Sequence, residues 1–209
     1  MMMWWHGLSV TGSLAVTGPI GIAIAVWLVA GKSWRLTAAW CVLFGIGMAL
    51  VVATKMAFVG WGIGVESVEF AGFSGHAMRA AAVFPVAFYL AFRSSPLQLR
   101  VLGTLLGVLL AVLISISRVY VQAHSVSESV TGCLLGLAVA AVFIWYASTE
   151  HHMALSRLLV VLCIPVVLIA PRVEPVPAEM WITQAALWLS RHDQPYTRAI
   201  WREPKSPLR

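Results

Sequence analysis

Between Ser117 and Glu128 the chain reads SRVYVQAHSVSE. Ser117 and Arg118 close an apolar run, His124 follows six residues after Arg118, and Glu128 comes four residues after the histidine. Four residues make about one helical turn, so His124 and Glu128 can share a face. A carboxylate in that place accepts the ring N–H and fixes the tautomer. The other nitrogen is then free to act as base or nucleophile. Arg118 offers a planar fork of donors suited to phosphate. All three stand between membrane-length apolar runs, where ionisable groups are costly to keep without a use.

A second group lies upstream, Phe73-Ser74-Gly75-His76. Ser74 predicts an N-cap for a helix from Gly75 to about Phe92, interrupted by Pro85. The start of that helix presents free N–H groups and a positive dipole end, which favour a phosphate anion. Gly75 lets backbone approach, and His76 stands on the same rim. Lys55 closes an earlier apolar run. It either contributes a cation to the site or snorkels at a helix end.

These residues resemble the signature motifs of the type 2 phosphatidic acid phosphatase family, which vanadium haloperoxidases share. The last motif, S-R, five residues, H, three residues, D, is met by Ser117, Arg118 and His124, with Glu128 in place of aspartate. The middle motif, P-S-G-H, is met with Phe73 in place of proline. The first, a lysine, six residues, then R-P, is half present: Lys55 fits, but Gly62 and Ile63 stand where R-P would be. The resemblance runs from about Thr11 to Tyr146.

It implies a phosphohistidine mechanism without metal or cofactor. His124 attacks phosphorus, Glu128 orients it, and His76 protonates the leaving group and later activates water. Lys55, Arg118, Ser74 and the Gly75 amide hold the phosphoryl oxygens. Phosphoryl transfer is largely positioning plus charge stabilisation, which suits such a set. Arg79 lies three residues after His76 on the same helical face. It either replaces the missing first-motif arginine or pairs with Glu66, Glu69 or Glu128.

The elements that must position these groups are membrane helices. The chain has 209 residues, 60% hydrophobic and 11% charged, with a mean hydropathy of +0.88. Such a composition excludes a soluble domain, and the length allows about six spans in one all-α bundle. The expected runs are Ser13–Ala30, Leu36 to about Thr54, Gly75 to about Phe92, Val101–Ile116, Val126–Tyr146 and Arg157–Ala170. Trp4 and Trp5 suggest an interfacial anchor before the first. Gly60 to Phe73 is expected as a loop whose Gly60, Gly62 and Gly64 either hinge it or admit a phosphate. Glu66 and Glu69 read as a solvated face rather than as metal ligands. Gly103 and Gly107, and Gly132 and Gly136, form two G-xxx-G faces.

His151 and His152 are adjacent and so face apart, which fits a loop rather than a metal pair. Cys41, Cys133 and Cys163 all fall inside apolar runs and read as small core residues. Composition changes after residue 170, which divides the chain into a transmembrane domain, 1–170, and a tail, 171–209. Within the tail, Ala178–Ser190 reads as an amphipathic interfacial helix, followed by an extended basic end from Arg191.

Lys32, Arg35, Arg93, Arg100 and Arg157 fall in short loops on one side. The positive-inside rule places that side in the cytoplasm of a bacterial plasma membrane and the histidines on the periplasmic or outer side. The net charge of +6 fits topology and anionic lipid rather than nucleic acid, since no basic run has interleaved aromatics. The function expected is hydrolysis of a lipid phosphate, with a polyprenyl pyrophosphate favoured over phosphatidic acid, phosphatidylglycerophosphate or lipid A phosphate. The alternatives are a lipid phosphotransferase and a non-catalytic binder or carrier of lipid phosphate.

Overall fold

The computed structural model describes residues 2–150 and 177–202. Those residues are helical, apart from turns and an isolated antiparallel bridge between Val65 and Phe70. The expected sixth run, Arg157–Ala170, lies outside them, as do His151, His152 and Cys163. Helix α1 spans Met2–Thr11 and α2 spans Leu14–Ala30. Helix α3 spans Trp34–Trp61, α4 Gly75–Ala91, α5 Leu97–Tyr120 and α6 Val126–Thr149. Two further helices follow, α7 at Ala178–Ser190 and α8 at Ala199–Arg202. Among the described residues, four stretches are long and apolar enough to cross a membrane: Trp4–Ala30, Trp34–Trp61, Leu97–Tyr120 and Val126–Thr149.

Helix α4 is the centre of the bundle. From Ala77 to Val86 every residue is buried. The four glycines of α5 and α6 explain how its neighbours come so close. A Cβ at Gly107 would lie 2.8 Å from the Phe84 carbonyl oxygen, and one at Gly136 would lie 2.2 Å from that of Met78. Gly132 meets Ser74 and Gly103 meets the Phe92 ring in the same way. Both small-residue faces therefore pack onto α4 rather than onto each other. A shared partner thus sets the positions of both α5 and α6, and close van der Waals packing is what holds helices together in lipid.

The core is built from α2, α3, α4, α5 and α6 around Ile24, Leu28, Trp40, Val83, Ile114 and Phe143. Trp40 is buried and donates its indole N–H to the Gly21 carbonyl at 3.0 Å, so its polar edge is satisfied. At the end of α4 away from the histidines, Arg93 caps the last turn of α6. It donates to the Ala147 carbonyl at 2.6 Å and to that of Glu150. Cys133 is buried as expected, but Cys41 is exposed on the outer face of α3.

Several boundaries differ from those expected. Helix α3 runs on to Trp61, so Lys55 sits within the helix, nearly two turns before its end. Gly62 supplies the αL C-cap at φ 68°. Helix α5 continues through Ser117 and Arg118. The N-terminal segment is a helix packed on α5, with Trp5 stacked on Tyr120 at 4.5 Å, while Trp4 faces outward. The tail after α7 does not extend away. It turns at Arg191, φ 57°, and runs back along the end of α3. There the Tyr196 amide donates to the Val59 carbonyl at 2.9 Å, His192 Nδ1 pairs with the Gly60 carbonyl at 2.8 Å, and Trp201 lies against Phe58.

Candidate functional site

The last turn of α5 carries Arg118, and a five-residue connection leads to Ser125. Ser125 and Glu128 form a capping box. The Glu128 amide donates to Ser125 Oγ at 3.2 Å, and the Ser125 amide donates to Glu128 Oε2 at 3.2 Å. The same carboxylate oxygen lies 2.8 Å from His124 Nδ1. Its other oxygen accepts the Ala71 amide at 3.0 Å. One buried glutamate therefore starts α6, orients His124 and ties down the α3–α4 connection. A carboxylate can only accept, so Nδ1 carries the proton and Nε2 holds the free lone pair.

His124 lies in the connection between the spans and is mostly buried. Burial lowers its pKa from the ordinary value, and the Lys55 and Arg118 charges act in the same direction. The hydrogen bond and charge of Glu128 oppose them without prevailing. The ring is therefore neutral at neutral pH, as a nucleophile requires.

A cavity of about 290 Å³ opens beside this pair, and Lys55, Arg118, His124, Glu128, Glu179 and Arg198 are among the residues that line it. Arg118 donates from one Nη to Ser9 Oγ of α1, and its Nε is buried without an acceptor among the described residues. Lys55 pairs with Glu179, from the first turn of α7. Desolvation would raise the Glu179 pKa, but the charge and hydrogen bond of Lys55 outweigh it, and the net shift is downward.

The middle-motif residues sit next to the cavity rather than on its wall. Ser74 is buried as the N-cap of α4, its Oγ accepting the Ala77 amide at 3.4 Å and its amide donating to the Glu128 carbonyl at 3.0 Å. That bond joins the two helix starts directly. His76, in the first turn of α4, is half-buried and within electrostatic reach of Arg118, Arg79, His124 and Lys55. Arg79 is 7% exposed and lies behind this rim. Its Nε donates to Thr17 Oγ1 at 3.2 Å. Its Nη1 would lie 2.9 Å from a Cβ placed on Gly75. It does not pair with Glu128, whose oxygens are taken by His124, Ser125, Ala71 and Arg198.

Gly60, in the last turn of α3, and Gly62 and Gly64, which follow it, meet protein instead of an open phosphate cradle. A Cβ at Gly60 would lie 3.2 Å from the Ala186 carbonyl oxygen, and one at Gly62 would lie 2.9 Å from the Tyr196 ring. Gly64 meets the Phe70 carbonyl and the Trp201 ring.

Glu179 and Arg198 were not among the residues singled out from the sequence. Both belong to the tail, more than fifty residues beyond the last motif, and no local spacing connects them to it. The available signal was compositional: an acid opening an apolar helix, and an arginine set among tyrosine, isoleucine and tryptophan.

Residues 64–152 match the PAP2 superfamily. An "uncharacterized 22.5 kDa protein in cps region" from Klebsiella pneumoniae is 32% identical over 202 residues, covering 94% of this chain and 96% of its own length. No solved structure matches.

Proposed function

We propose, because this chain belongs to the PAP2 superfamily, whose members are typically phosphatases, that it is an integral membrane phosphatase acting on a lipid phosphate. The observation that carries this reading is the His124–Glu128 pair at 2.8 Å, set in a cavity with Lys55 and Arg118. A neutral, oriented imidazole among cations is what in-line attack on a phosphoryl group needs.

In this reading His124 Nε2 attacks phosphorus. The P–N bond forms as the P–O bond to the leaving oxygen breaks, and His76 gives that oxygen a proton. Water then attacks the phosphohistidine, His76 accepts its proton, and the P–N bond breaks to release phosphate. Lys55 and Arg118 balance charge on the equatorial oxygens, and the Gly75 amide at the start of α4 adds a donor. Acid–base assistance of this kind contributes about 10²–10⁴-fold. Ser74 and Arg79 support that helix start from behind. The transmembrane unit of residues 1–170 supplies this machinery, and the tail from residue 171 adds to it Glu179 and Arg198, which line the cavity.

We place the active site at the periplasmic or outer face, reached by a head group entering sideways between helices. A polyprenyl pyrophosphate is the favoured substrate, ahead of phosphatidic acid, phosphatidylglycerophosphate and lipid A phosphate. A non-catalytic binding role is the second reading. It is favoured by the Lys55–Glu179 pair, which engages a phosphate cation with protein.

The test is phosphate release by the detergent-purified chain from a panel of these lipids, with His124→Ala alongside. Release from one lipid, abolished in the variant, supports the phosphatase and names its substrate. A folded wild-type chain that binds lipid phosphate without releasing phosphate replaces that reading with the binding role.

A further inference from the structure

We propose that Arg198, delivered by the C-terminal segment, is a phosphate-binding residue of this site and takes the place of the arginine missing after Lys55. This rests on the phosphatase reading and adds to it a cation from outside the family motifs.

Three observations meet at Arg198. The first is position. Its guanidinium lines the cavity together with Lys55, Arg118 and His124. Arg79 does not, being buried against Thr17 and the Gly75 backbone. The second is unspent capacity. Arg198 reaches Glu128 Oε2 and the Ala123 carbonyl oxygen, each at 3.4 Å, the long end of the hydrogen-bond range. A guanidinium has five donors in a fork that matches two phosphoryl oxygens, and these two contacts engage it only loosely.

The third observation is reciprocity. Gly62 stands where the first motif would have arginine, and its Cα faces the Tyr196 ring so closely that a Cβ would lie 2.9 Å away. The tail fills the place that a side chain at position 62 would need, and two residues later it presents an arginine of its own. The segment is anchored on both sides of Arg198. Before it, His192 and the Tyr196 amide hold the Gly60 and Val59 carbonyls; after it, Trp201 packs on Phe58.

The test uses the full chain in detergent with Arg198→Ala and Arg198→Lys, each checked for an unchanged thermal unfolding midpoint. Binding of inorganic phosphate is measured by calorimetry, and lipid phosphate release in parallel. Losing one charge-assisted contact is expected to weaken phosphate binding roughly tenfold to a hundredfold in Arg198→Ala. Arg198→Lys should fall between, since it keeps the charge and loses the fork, and added methylguanidinium should restore part of the loss in Arg198→Ala. If Arg198→Ala does not fold, the drop in Arg198→Lys carries the test.

Phosphate affinity unchanged within about twofold in the folded variants would overturn the proposal, even if the pH profile of release moved, because that pattern marks an arginine that only steadies Glu128. A wild-type chain that binds no phosphate would overturn it as well. If the wild type binds phosphate but hydrolyses no lipid, the phosphatase reading fails, and the calorimetry still decides the role of Arg198.

Discussion

Glu128→Asp restores the residue that the family motif carries, and it is expected to damage this protein. Aspartate shortens the side chain by one C–C bond, about 1.5 Å. With the backbone at position 128 held by the Ser125 cap, the contact of 2.8 Å to His124 Nδ1 opens to roughly 4 Å, beyond hydrogen bonding. The carboxylate also serves the Ser125 and Ala71 amides, which lie in different directions. A shorter arm cannot serve all three donors. Two part-buried donors left without an acceptor cost at most about 2–6 kcal/mol, at about 1–3 kcal/mol for each fully buried one, before any relaxation or hydration.

His124 then loses its fixed tautomer, and phosphate release is expected to fall by about 10²–10⁴-fold, the range of acid–base assistance. The assay pairs release from the best lipid substrate with the unfolding midpoint read from tryptophan fluorescence. An aspartate variant as stable and as active as the wild type would refute the idea that the glutamate arm is fitted to this capping box. The stability arm stands even for a chain that turns nothing over.

Other expectations follow from the same geometry. Glu179→Gln frees Lys55, so inorganic phosphate should compete for the site at a several-fold lower concentration. Because the Glu179 pKa is lowered, the pair holds above the ordinary carboxylate range and is lost as pH falls through the lowered value. The difference between wild type and variant should therefore shrink in titrations carried toward acid pH. The acid limb of release should lie below the ordinary histidine value of about 6.5, since the His124 pKa is lowered and the neutral ring attacks. Lys55→Met removes a charge that lowers it, so the limb should move to higher pH. Gly136→Ala places a methyl 2.2 Å from the Met78 carbonyl oxygen and should destabilise the bundle by about 1–3 kcal/mol. Gly45→Ala meets nothing within 4 Å and should be neutral or slightly stabilising in the same unfolding assay.

The part of the site that was legible in the sequence is the part written in local chemistry. His124 and Glu128 are one turn apart, and Ser74 is a cap, so spacing alone brings each to its task. The all-helical membrane fold followed from hydropathy. Helix ends were harder to read, because Ser117 and Arg118 are polar and look like a boundary although they close the last turn of α5. The partners of the two glycine pairs were also hidden. Spacing marks a face able to pack closely but not the helix that will meet it, and α4 takes both faces. The tail was legible only in part: the helix at Ala178–Ser190 has the bounds expected, but its apolar positions suit a bilayer surface as well as the end of α3, and only the fold buries Ala186 against Gly60 and returns the segment after Arg191 along α3.

The enclosure of α4 bears on how the chain enters the bilayer. Its 17 residues extend about 26 Å, less than the roughly 30 Å of a hydrocarbon core. They also include Arg79, about one turn inside the helix start, and an arginine opposes insertion by about 2.5–3.5 kcal/mol at the helix centre and by less toward the ends. Alone in lipid this segment is a poor candidate to stay put. It becomes stable once α5 and α6 exist to receive it, and both are made after it. The expectation is that the helix that carries His76 is secured late, when later-synthesised segments draw it inward, and that the candidate site is assembled only when the connection bearing His124 is in place.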